Sequence, residues 1–124
     1  MTTVAEVMNE SLLSVRPSIT VAEAATMMGE RRVGSVLVME GDALLGIFTE
    51  RDIMRALGEQ FDAAAHQVSE WMTRNPITVP PGTDAGDALK TMLDGGFRHL
   101  PVIDGEHILG VVSMRDLSGL ESEA

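Results

Sequence analysis

Two copies of one pattern fill the chain. Sliding the sequence along itself until Val4 falls on Val68 also sets Glu6 on Glu70, Met8 on Met72, Val15 on Val79 and Pro17 on Pro81. The same register carries Ala24 onto Ala88, Met28 onto Met92, Val38 onto Val102 and Gly41 onto Gly105. It ends by pairing Leu45-Gly46 with Leu109-Gly110 and Arg51-Asp52 with Arg115-Asp116, with no gap anywhere. An ungapped register of that length is an internal duplication, and it restricts the fold to two like halves. A half of about 55 residues buries little surface alone. The expectation is therefore one compact module of two halves packed face to face about a pseudo-two-fold axis. Residues 1–58 form the first unit, 59–67 an alanine-rich linker and 68–124 the second unit.

Each half reads as the same string of elements. A short helical turn (Thr3 to Met8, Val68 to Met72) precedes an extended piece, Leu13-Ser14-Val15 or Ile77-Thr78-Val79. An amphipathic helix follows. Thr20 with Glu23 forms a capping box, with Asp84 and Asp87 as a weaker counterpart. Val21, Ala24, Ala25 and Met28, like Ala85, Ala88, Leu89 and Met92, recur at helical spacing. Gly95-Gly96 ends the second helix, and Gly29 is a less clear stop for the first. Two apolar runs around a turn come next, Val36 to Met39 with Leu44 to Phe48, and Leu100 to Ile103 with Ile108 to Val112. A last helix starts at Thr49 or Ser113. Strands and helices alternating in this way predict an α/β (α+β) fold, each half a small sheet flanked by helices.

Composition narrows the function. With 44% apolar residues but one Trp, three Phe and no Tyr, the core is aliphatic, with nine Met to fill gaps. No Cys is present, which excludes disulfides and thiolate metal sites. The three histidines show no helical pairing; His99 and His107 fall on neighbouring strands, but no third ligand is apparent, so no metal site is expected. A net charge of −10 opposes nucleic acid and anionic membranes. No apolar run approaches the roughly 18 residues of a membrane span, and the Met1-Thr2-Thr3 start has no basic region before an apolar stretch, so a cytoplasmic protein is expected. The sequence has no P-loop, no dinucleotide fingerprint and no nucleophile set beside a base, and no catalytic residue is assigned.

The most specific signal is Gly46-Ile47-Phe48-Thr49-Glu50-Arg51-Asp52 and its copy Gly110-Val111-Val112-Ser113-Met114-Arg115-Asp116. A hydroxyl followed three places later by an acid is, first of all, a helix cap. The same geometry gathers a hydroxyl and unpaired N–H groups where a strand meets a helix, which suits an anion. Asp52 or Asp116 could accept two hydrogen bonds from a ribose diol, and Arg51 or Arg115 could reach a phosphate. Both copies keep Gly, hydroxyl, Arg and Asp, which favours a binding role.

With these motifs the chain resembles a tandem pair of CBS domains, the Bateman module. The stretches "VMNESLLSVRPSITVAEAATMM" and "WMTRNPITVPPGTDAGDALKTM", the "RHLPVID" segment and the two G-h-h-T/S-x-x-D ends carry the resemblance over nearly the whole chain. It implies a regulatory module that senses an adenine nucleotide (AMP, ADP or ATP) in clefts between its two units, with no obligatory cofactor. Asp52 and Asp116 would hold ribose, Thr49 and Ser113 ribose or phosphate, and Arg98 a phosphate. Ser14 and Val15, and Ile77, Thr78 and Val79, would line the adenine pockets, with His99 and Pro101 beside the cleft. It also implies a homodimer forming a disc of four units, through helices carrying Met27, Met28 and Met92, and a regulated protein partner. The alternatives are a sensor of S-adenosylmethionine or NAD, and a dimerisation or protein-interaction module with empty clefts. The copies depart from each other at Gly34 against Arg98, Leu37 against Pro101, Glu50 against Met114 and Val7 against Trp71, which predicts two unequal clefts.

Overall fold

The computed structural model describes residues 1–121. Helix α1 (Val4–Val7) leads to β1 (Ser14–Val15), α2 (Val21–Arg31), β2 (Ser35–Glu40), β3 (Ala43–Thr49) and α3 (Glu50–Glu59). Two 3-10 turns, Ala63–Ala65 and Val68–Glu70, connect to β4 (Thr73–Arg74), α4 (Ala85–Gly95), β5 (His99–Asp104), β6 (His107–Ser113) and α5 (Met114–Glu121). The helices and hairpins follow the order the duplication predicts, but in the second repeat the extended piece Ile77-Thr78-Val79 makes only a bridge at Val79, and the short strand falls at Thr73–Arg74. The alanine run does not prolong α3; it turns, and Ala63 is buried.

Helix boundaries follow from capping. The Thr20 hydroxyl accepts the Glu23 N–H at 3.1 Å and the Glu23 carboxylate accepts the Thr20 N–H at 3.3 Å, satisfying two donors that α2 would otherwise leave unpaired. Asp84 caps α4 alone, accepting from the N–H groups of Gly86 and Asp87. Gly96 ends α4 in the left-handed conformation at φ 74°. In α2 the matching position is Arg32, which adopts φ 56° despite its side chain, so the helix runs past Gly29 before it stops.

Pairing between strands divides the chain differently from the repeat. One compact unit is Leu13–Pro76; the other is Met1–Leu12 together with the chain from Ile77 onward. In the first, β1 lies parallel to β2, β2 pairs antiparallel with β3, and β3 pairs antiparallel with β4, giving the order β1-β2-β3-β4. In the second, β5 and β6 form the same hairpin, flanked by a parallel bridge from Val79 to Val102 and an antiparallel bridge from Asn9 to Val111. Each sheet is thus edged by the opening segment of the other repeat: Thr73-Arg74 beside β3, and Asn9 beside β6.

Burial follows the same exchange. The first unit's core contains Val15, Val21, Ala24, Met28, Val36, Val38 and Phe48, joined by Val68 and Met72 from the second repeat. The second unit's core contains Val79, Ala88, Met92, Leu100, Val102, Val112 and Leu117, joined by Val4 from the first. Met28 and Met92 therefore fill cores; Met27 is only partly buried. Val4 N–H donates to the Thr83 carbonyl at 2.9 Å and Ala85 N–H to the Thr2 carbonyl at 2.8 Å, tying the chain start to α4.

Candidate ligand site

In the first unit β3 delivers Thr49 to the start of α3. The Thr49 N–H and hydroxyl both donate to Asp52 Oδ2, at 2.9 and 3.2 Å, and the Asp52 N–H donates back to Thr49 Oγ1 at 3.4 Å. The Glu50 N–H donates to the Gly34 carbonyl at 3.1 Å, which locks the approach to β2 against the helix start. Asp52 is 5% exposed, the one buried charged residue among those described. A buried carboxylate needs hydrogen bonds or a counter-charge, and Arg55 supplies the latter: its guanidinium reaches Asp52 Oδ1 at 3.1 Å.

The second unit repeats the turn. Ser113 N–H donates to Asp116 Oδ2 at 2.8 Å and Asp116 N–H to Ser113 Oγ at 3.1 Å. Met114 N–H donates to the Arg98 carbonyl at 2.8 Å, so the backbone of Arg98 is fixed beside the start of α5 and its side chain is exposed there. No ion pair among the described residues involves Asp116.

The remaining residues of interest divide by unit. Ser14 and Val15 share a unit with Thr49, Arg51 and Asp52, whereas Ile77, Thr78, Val79, Arg98, His99 and Pro101 share one with Ser113, Arg115 and Asp116. Ser14 pairs with Leu37, which pairs with Ile47 two residues before Thr49, so strand spacing sets Ser14 on the order of 10 Å from Thr49. Val15 and Val79 point into the cores and their backbones pair with the neighbouring strands, while Ser14, Thr78 and Ile77 are exposed to a ligand. Pro101 is buried on β5 with its carbonyl accepting the Val79 N–H at 3.1 Å. His99 and His107 do not meet: they face Ser113 and Asp104 at opposite ends of the hairpin. No group of three metal-binding side chains occurs among the described residues, and none of their helices is long and apolar enough to cross a membrane.

Sequence reasoning passed over Arg55. Besides Asp52 it donates to the Trp71 carbonyl at 2.8 Å, and its guanidinium lies 5.3 Å from the centroid of the Trp71 ring. The indole Nε1–H is buried without an acceptor among the described residues, so the ring is held by packing and by the cation on its face. The signal was available: in the repeat register Arg55 falls on Gly119 and Trp71 on Val7, two departures at positions that touch.

Two stretches, residues 4–59 and 68–122, match the CBS domain. The chain belongs to the CBS-domain family as a tandem pair, a mixed α/β protein of two half-domains and of a kind that generally serves as a regulatory ligand-binding module. An uncharacterized 17.7 kDa protein of Acidianus ambivalens is 38% identical over 120 residues, 94% of this chain and 71% of that protein. The CBS-domain containing protein of Agrobacterium tumefaciens superposes with a TM-score of 0.91 at 29% identity, covering 97% of this chain and 99% of that one. The CBS domain pair of protein MJ0100, solved in complex with 5′-methylthioadenosine and S-adenosyl-L-methionine, superposes with a TM-score of 0.87 at 25% identity, covering 99% of this chain and 98% of its own.

Proposed function

We propose that this chain is a regulatory sensor of an adenine nucleotide (AMP, ADP or ATP), acting in the cytoplasm on a protein partner and catalysing no reaction of its own. The observation that carries the reading is the duplicated turn in which Thr49 with Asp52, and Ser113 with Asp116, set a carboxylate and a hydroxyl at the end of a strand within the same packed unit as an extended piece. A carboxylate there accepts from a ribose diol, and backbone groups of the extended piece meet the base. Arg98, Arg51 and Arg115 are the cations near at hand for phosphate. The adenosyl ligands of the MJ0100 pair support this class of ligand. A ligand that favours one arrangement of the module shifts its population, and so the activity of whatever it contacts.

A thermal-shift panel of AMP, ADP, ATP, NAD and S-adenosylmethionine, followed by titration calorimetry, tests the reading. Mass action gives about 2.7 kcal/mol of stabilisation at a hundredfold excess over Kd. Adenylates should raise the melting temperature, and joint replacement of Asp52 and Asp116 by Asn should remove the effect. Undiminished binding in that double variant would refute the ribose role. A response to S-adenosylmethionine or NAD alone would change the ligand, and no response to any would leave an interaction module.

We further propose a homodimer. Helix α3 exposes Met54 at 76% and Leu57 at 59%, and α4 exposes Leu93 at 64%, apolar area that a second copy of the chain would cover. Nucleic acid is a poor candidate partner for a chain of net charge −10.

A further inference from the structure

The two candidate sites share a backbone but differ in what holds the carboxylate. An ionised carboxylate offers about four acceptor positions. At Asp52, two on Oδ2 are taken by the N–H and hydroxyl of Thr49, and one on Oδ1 by Arg55. A ribose diol presents two donors, and with Thr49 and Arg55 in place only one of the four positions is left for it. Arg55 is held in place by the carboxylate, by the Trp71 carbonyl at 2.8 Å and by the Trp71 ring.

The repeat does not carry this pair into the second unit. Its counterparts of Arg55 and Trp71 are Gly119 and Val7, neither of which can supply a guanidinium or an aromatic face. Where the first unit has Gly34 and Glu50, the second has Arg98 and Met114, an exchange that adds a cation and removes an acid at the repeat positions around the turn. Trp71 reaches Arg55 only because the opening segment of the second repeat packs in the first unit.

We propose that Arg55, anchored on Trp71, reserves the Asp52 carboxylate and closes the first unit's site to ribose, so that each chain binds one adenosine ligand, at Asp116. This rests on the adenine-nucleotide reading above. Arg55 is a positioning residue in this scheme, an internal occupant of the acceptor that ribose would use. Its side chain is 48% exposed, so the contact is partly screened and can be opened by substitution.

Titration calorimetry on the full chain with 5′-methylthioadenosine, which has the ribose and no phosphate, and with AMP, tests this. The unaltered chain should bind one equivalent, and Asp116→Asn should lose it. Arg55→Ala should gain a second equivalent, at least about tenfold tighter than any residual binding at that site in the unaltered chain. Asp52→Asn added to Arg55→Ala should remove the gained equivalent. Emission of Trp71, the chain's one tryptophan, should report that equivalent independently. Should Arg55→Ala fail to fold, Arg55→Met keeps the apolar stem and loses the cation. Two equal equivalents in the unaltered chain, or one still in a folded Arg55 variant, would overturn the proposal and leave the adenosine reading standing. Absence of binding by every variant would overturn both.

Discussion

Gly110 lies so close to Met8 that a methyl group on its α-carbon would sit 2.8 Å from the Met8 sulfur, and 2.7 Å from the Asn9 carbonyl oxygen. Gly46 stands in the same relation to Met72 and Thr73, at 2.9 Å from the sulfur and 2.5 Å from the carbonyl oxygen. The glycine that opens each Gly-to-Asp motif is therefore explained by packing: it admits the opening segment of the opposite repeat to the edge of the sheet.

Alanine at either glycine should lower stability by about 1–3 kcal/mol, because the neighbours it would meet include backbone that cannot swing aside. Urea unfolding of Gly46→Ala and Gly110→Ala measures it. A change within a few tenths of a kcal/mol would mean the edge segments yield easily.

Removal of residues 1–12 should loosen the unit formed from Ile77 onward and spare Leu13–Pro76. Val4 is fully buried in the former, and Asn9 bonds to Val111 in both directions, at 2.9 and 3.0 Å. Hydrogen exchange should accelerate in β5 and β6 before β2 and β3. The opposite order would mean that the opening segment supports its own repeat.

Arg32→Gly should stabilise the protein by about 1 kcal/mol, since a left-handed residue with a side chain is replaced by one that adopts that conformation without a steric cost. The reverse change in the other repeat, Gly96→Arg, should cost a similar amount. Thermal melts of both variants check the pair.

Thr49→Ala and Ser113→Ala should each cost about 1 kcal/mol in ligand-free protein, the usual loss when a capping hydroxyl goes. Chemical unfolding without nucleotide gives that baseline, from which any further loss in ligand binding is then separable.

Glutamate at Met54 and Leu57 together should shift the protein toward monomer in sedimentation runs over a range of concentrations, with little change in fold, because both side chains are solvent-exposed within the chain. An unchanged association state would direct attention to another face.

Much of the local structure was legible. Thr20 with Glu23, Thr49 with Asp52 and Ser113 with Asp116 cap helices as their spacing required, because a cap is decided within four residues. Gly96 marked a helix end for the same reason, whereas Arg32 gave no such warning, since α2 ends there in a left-handed conformation that its residue type disfavours. His99 and His107 looked like neighbours on a hairpin, but the register that separates them depends on which residues pair across it.

Duplication, element order, capped turns and family membership were thus determined by the sequence alone, through patterns of short range and one long self-match. The destination of each repeat's opening segment was decided only by the tertiary structure. Val4 and Met8 resemble Val68 and Met72 so closely that either segment satisfies the local requirements of either sheet edge, and no periodicity distinguishes the two. Strand pairing and burial between residues distant in the chain made the choice, and with it brought Trp71 to Arg55.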